Sequence, residues 1–175
     1  LRLEHNSLGD AGMQLLCKGM GRGAAPSLSN LFICDNQFGP AGAEALAAAL
    51  RGGAMPKLAE LELGGNPIGN QGVATLCATL RKLPALKVLT LINCGIGDEG
   101  VATLVADLGK DDFKALKELW LAYNKITDAG AAKLVATVDA GGLPKLVDHE
   151  YFLMNTAATA AAVQAVVDAL AKRSQ

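Results

Sequence analysis

The chain has 175 residues, a formal charge of −1, and 51% hydrophobic against 19% charged residues. That balance excludes intrinsic disorder, and the near-neutral charge offers no global basic surface for nucleic acid. No apolar run is long enough to span a bilayer, no signal peptide is visible, and a 4% aromatic share demands an aliphatic, alanine-rich core.

Along the chain one pattern returns. It reads "LRLEHN" at Leu1, "LFICDN" at Leu31, "LELGGN" at Leu61, "LTLINC" at Leu89 and "LWLAYN" at Leu119, in steps of 30, 30, 28 and 30. In an alternating strand the two leucines of each copy face one side and the residue between them the other. Further columns keep the same period. An apolar residue follows (Leu8, Phe38, Ile68, Ile96, Ile126), then a glycine (Gly12, Gly42, Gly72, Gly100, Gly130), then a leucine (Leu16, Leu46, Leu76, Leu104, Leu134). A period of this size predicts a solenoid, each unit burying its apolar face against the next.

Within each unit the pattern predicts a strand, a turn and a helix. Asn6, Asn36, Asn66 and Asn124 form one column, with Cys94 replacing the fourth member, and are expected to satisfy the amides of the turning backbone. Asp10, Asn70, Asp98 and Asp128 are expected to cap the helix they precede, and Pro40 leaves the second helix uncapped. Arg51, Arg81, Lys82 and Lys110 are expected near helix C-termini. Residues 1–148 thus hold five repeats. Residues 149–175 read as a degenerate sixth repeat, with His149 and Tyr151 for the two leucines and Met154 for the asparagine, followed by a capping helix from about Ala158 to Lys172. The first repeat has no matching cap, which raises the expectation of repeats or a cap before Leu1.

The columns resemble the leucine-rich repeat, in its ribonuclease-inhibitor-like subtype with long, helix-containing units. The resemblance covers nearly the whole chain. It implies an α/β horseshoe with parallel strands on the concave face and helices on the convex face.

Cys17 and Cys77, and likewise Cys34 and Cys94, lie two repeats apart. Two strand spacings are about 10 Å, beyond the ~7 Å Cα separation a disulfide spans. Reduced thiols favour an intracellular, cytoplasmic setting. Catalysis has little support, because His5 and His149 fall on the first and last strands and no metal-ligand or nucleophile motif occurs. No cofactor or metal is expected. "LGGNPIGNQG" resembles a phosphate loop, but its glycines occupy repeat columns and no GK[ST] follows.

The informative surface is the expected concave one. The outward columns include Arg2, Glu4 and His5, then Phe32, Cys34 and Asp35, then Glu60, Glu62, Gly64 and Gly65, then Glu118, Trp120, Ala122 and Tyr123, and finally Asp148, Glu150, Phe152 and Leu153. Seven acids (Glu4, Asp35, Glu60, Glu62, Glu118, Asp148, Glu150) face one base, Arg2, for a charge of −6; the rest of the chain is therefore +5. Trp120, the only tryptophan, is expected to be displayed, because Trp and Tyr dominate interface hot spots. The expected partner-binding set is Phe32, Asp35, Glu60, Glu62, Glu118, Trp120, Tyr123 and Glu150, on a basic protein partner. Neither nucleic acid nor membrane insertion is expected. Two alternatives stand beside this reading. One is a GTPase activator resembling the Ran-activating family, against which the tail "AKRSQ" counts because that family carries an acidic one. The other is a structural subunit of a larger complex.

Overall fold

In a computed structural model, residues 1–148 and 152–173 are described. Four strands, β1 Asn30–Phe32, β2 Glu60–Glu62, β3 Val88–Thr90 and β4 Glu118–Trp120, form one parallel sheet in sequence order. Their register follows the repeat, with Leu31 opposite Leu61, Leu61 opposite Leu89, and Leu89 opposite Leu119. Arg2 extends the ladder by a parallel bridge to Phe32.

Six helices lie on the other side: α1 Gly9–Lys18, α2 Pro40–Arg51, α3 Gly69–Leu80, α4 Asp98–Val105, α5 Asp128–Asp139 and α6 Ala160–Lys172. Each packs on the next in sequence, so strand and helix layers enclose one continuous core. The leucines at both strand positions are sealed: Leu31, Leu61, Leu89 and Leu119 are at most 1% exposed, as are Ile33, Leu63, Leu91 and Leu121. Truncating one of them to Ala costs about 2–5 kcal/mol in such a core.

The asparagine column ties neighbouring turns together. Asn66 is fully buried; its Nδ2 donates to the carbonyls of Ile33 (2.9 Å), Leu63 (2.8 Å) and Gly64 (3.3 Å), and its Oδ1 accepts from Asn36 N–H at 2.8 Å. Asn36 makes the same pattern one repeat before and Asn124 two repeats after, while the exposed Asn6 donates to the carbonyls of Leu3 and Glu4 and gives its N–H to Asn36 Oδ1. At Cys94 the thiol replaces the amide and sits 3.5 Å from the carbonyls of Leu63 and Ile92.

Four expectations need correction. First, the capping residues serve the next helix, not their own. Asp10 lies in α1, yet its Oδ1 accepts from Gly39 (2.8 Å) and Gly42 (2.7 Å) at the start of α2. Asn70 reaches Gly97, and Asp128 reaches Thr159. The helix that Pro40 leaves uncapped is therefore α3. There Gly69 turns to φ +60° and gives its N–H to Cys94 O, as Gly9 at φ +58° does to Asn36 O in the first repeat. Without a capping oxygen from behind, the backbone takes the left-handed turn that glycine tolerates.

Second, the last step is 32 residues. Leu91 N–H bonds Trp120 O, and one repeat on, Leu121 N–H bonds Phe152 O; likewise Asn93 bonds Ala122 O and Tyr123 bonds Met154 O. Leu153 therefore stands in the column of Leu121, and Thr156 stands in the asparagine column, its Oγ1 on Leu153 O at 2.9 Å. Phe152 and Leu153 are buried rather than displayed. His149, Glu150 and Tyr151 lie outside the described residues.

Third, α4 ends at Val105, so Lys110 lies in a loop well past the helix end. The buried Phe113 fills this shortened unit, and its N–H bonds Arg81 O. Fourth, α6 begins at Ala160 with Thr159 as its cap, two residues later than the periodicity indicates.

Candidate functional site

Strands β2, β3 and β4 and the turns after all four strands frame a concave groove of about 500 Å³. At one end stand Glu62 and Asp35 with Cys34; at the other stand Trp120 and Tyr123; Gly64, Gly65 and Ile92 form the floor between. The floor exists because the repeat that starts at Leu61 carries glycine at two successive positions, Gly64 and Gly65. A Cβ on Gly65 would fall 2.0 Å from Asp35 Oδ1, so the Asp35 carboxylate lies directly over this backbone.

Trp120 is half-buried, and its indole N–H donates to Glu118 Oε2 at 3.1 Å. Its register partner Thr90 is only 6% exposed although its column faces the concave side. The ring is thus anchored at one edge and lines the groove with the rest, instead of standing fully displayed. Tyr123 is the open aromatic, 52% exposed, held at φ +58° in the turn after β4. The column three after the first leucine lies low in the face: Cys34, Gly64 and Ile92 line the groove, with Gly64 buried and Cys34 and Ile92 half-buried, and Ala122 is buried.

The acids are held unequally. Burial, with the charge of Glu60 next, keeps the Glu62 carboxyl above the ordinary range. Cys34 Sγ lies 3.7 Å from Glu62 Oε2, and burial pushes that thiol up to about 12, with Glu62's charge adding to it. Glu60 accepts a hydrogen bond from Asn30 Nδ2. Asp35 has His5 Nδ1 at 3.6 Å. Outside the groove, the Arg2 guanidinium lies 4.6 Å over the Phe32 ring and pairs with Glu4 at 3.2 Å.

Of the expected partner-binding residues, the structure brings Asp35, Glu62, Trp120 and Tyr123 into one groove. Glu60 and Glu118 flank it through Asn30 and the indole. Phe32 sits a strand away under Arg2. The floor was legible as Gly64 and Gly65 standing bare in the outward columns between the acidic and aromatic residues, with Ile92 and Asn93 in the same columns one repeat on. Among the described residues no group of three His, Cys, Asp or Glu side chains is placed to hold a metal. The four cysteines are free.

A family profile described as a leucine-rich repeat matches residues 1–17, 54–77, 82–105 and 115–135. Among solved structures, the leiomodin-1 actin-binding site 2 is similar in fold, with a TM-score of 0.61 and 10% identity over 93% of this chain and 87% of that one. No curated protein matches. The 30-residue ladder of buried leucines, the strand and helix layers and the profile match make this chain a leucine-rich-repeat solenoid.

Proposed function

We propose that this solenoid is a non-catalytic protein-interaction module that takes a basic segment of a partner protein into its concave groove. The observation that carries the reading is the shared groove itself, with Glu62 and Asp35 at one end and Trp120 and Tyr123 at the other. A lysine or arginine side chain fits such a site: its head meets the carboxylates while its stem lies on Ile92 and the bare glycine backbone. Burial of Glu62 also fits, because a carboxylate held above its ordinary range gains most when a cation arrives. The free thiols support placing the module inside the cell.

Arg2 is a poor candidate for a GTPase-activating arginine, since it is engaged by Glu4 and stacked on Phe32 at the far end of the sheet. The test is a retention experiment from source-cell lysate at low and high salt, comparing the native chain with a Trp120→Ala, Glu62→Lys double variant. Titration of the retained partner against Trp120 fluorescence follows. A partner held at low salt, weakened by salt and lost in the double variant supports the reading. Equal binding by both forms sinks it.

A further inference from the structure

The acidic concave face leaves open where the cations lie. All but three of the sixteen lysines and arginines (Arg2, Lys125 and Lys133 being the exceptions) lie on one lateral edge, where helices end and the chain enters the next strand. The backbone makes this edge continuous. Ala59 N–H bonds Ser29 O, Lys87 N–H bonds Ala59 O, Lys117 N–H bonds Lys87 O and Val147 N–H bonds Lys117 O, all between 2.7 and 2.9 Å. The thirteen cations face four acids on the same edge, Asp107, Asp111, Asp112 and Asp139, an excess of nine positive charges.

Helix polarity explains only part of this. Lys18, Arg51 and Lys172 stand in last turns, where cations are favoured. Lys57, Lys87, Lys117 and Lys145 stand in strand-entry segments with no helix end to serve, and all four are exposed. Arg81 and Arg173 are taken up by backbone carbonyls, and among the described residues only Arg51 and Lys82 of this edge form ion pairs. The rest repel one another, a cost that the fold itself does not require.

We infer that this lysine-rich edge docks peripherally onto an anionic lipid surface. Three features favour lipid over nucleic acid or a pocketed protein partner. The strands begin in register, so Lys87 and Lys117 share the position just before β3 and β4, Lys57 and Lys145 lie two residues further back in their own repeats, and the helix-exit cations lie beside them. That makes a two-dimensional field of charge, which suits a plane of headgroups better than a single line of phosphates. The unengaged cations are nearly all lysines, which act as hydrated point charges rather than as bidentate forks. Among the described residues the exposed large hydrophobic side chain on this edge is Val147, beside Lys145, and the open aromatic, Tyr123, faces the concave side, so the described part of this edge has no platform to stack a base. No helix among the described residues is long and apolar enough to cross a membrane, so docking is by charge.

The test is co-sedimentation of the full chain with phosphatidylcholine vesicles, with and without about one-third phosphatidylserine, at low salt and at about 0.5 M salt. Binding to the anionic vesicles alone, abolished by salt and weakened about a hundredfold by Lys57→Glu, Lys87→Glu, Lys117→Glu, supports the proposal, provided Lys133→Glu binds as the native chain does. The charge-neutral Lys57→Gln, Lys87→Gln, Lys117→Gln variant serves if the reversed one does not fold; it should lose most of the binding. The proposal is overturned by absent or lipid-indifferent binding, or by a triple variant that binds normally. It also fails if duplex or single-stranded oligonucleotides bind more tightly than the vesicles, or if the edge's only effect is salt-sensitive self-association in sedimentation.

Discussion

Asp98 sits in the first turn of α4, yet it holds the start of α5 through Thr127. Its Oδ1 accepts from Thr127 N–H at 2.8 Å and from Gly130 N–H at 3.0 Å, and its Oδ2 accepts from the Thr127 hydroxyl at 2.6 Å. One side chain therefore couples two repeats, and the Thr127 hydroxyl bond is the main reason its carboxyl is held below the ordinary range. A carboxyl lowered in the folded state stabilises the fold above its unfolded pKa and loses that contribution as pH falls through the folded value. Asp98→Ala should cost about 1–2 kcal/mol in urea unfolding at pH 7. The difference from the native chain should shrink below about pH 4, as the Asp98 carboxyl protonates first in the unfolded chain and then in the folded one; an unchanged difference at pH 2 contradicts the assignment.

The asparagine column makes a paired prediction. Asn66→Ala leaves the buried Asn36 amide without its acceptor, takes one donor each from the carbonyls of Ile33, Leu63 and Gly64, and should destabilise by about 2–4 kcal/mol. Cys94→Asn should do the opposite. It restores the amide that the neighbouring repeats use, and a gain of about 1 kcal/mol is expected by thermal unfolding. A destabilised Cys94→Asn protein would mean that the pocket has reshaped around sulfur.

The thiols should be inert in the native chain. Burial pushes Cys17 up to about 11 and Cys34 and Cys94 up to about 12. Since only the thiolate reacts, Cys34 at pH 8 should be alkylated about a thousandfold more slowly folded than in urea. Peptide mapping after a timed iodoacetamide pulse measures this, and rapid labelling of Cys34 contradicts its packing beside Glu62.

Glu62 should trade stability for binding. Its carboxyl is raised in the folded state, so the free protein is less stable above the folded pKa than it would be with a neutral side chain there, and gains stability as pH falls through that value. Glu62→Gln should therefore raise the melting temperature at pH 7 while weakening a basic ligand about tenfold. A variant that is both less stable and unaltered in binding contradicts the role given to the groove.

Much of this protein was legible in its sequence. The recurrence of leucine pairs every 30 residues set the strand faces, the helix side and the buried core, because a period-2 strand inside a repeated unit leaves no other way to stack. It also placed Asp35, Glu62, Trp120 and Tyr123 on one face. Contacts between repeats were not legible, because they depend on which atoms of one unit reach the next. Asp10 and Asp98 read as local caps but act one repeat onward. The 32-residue last step, which buries Phe152 and Leu153 and puts Thr156 in an asparagine's place, shows only in the hydrogen bonds to Leu121 and Tyr123. Trp120 likewise reads as a displayed ring from its column alone. Its anchoring by Glu118 is a contact within β4 that only side-chain conformation decides, and its place at the end of a glycine-floored groove comes from residues one and two repeats away, brought together only when the solenoid stacks.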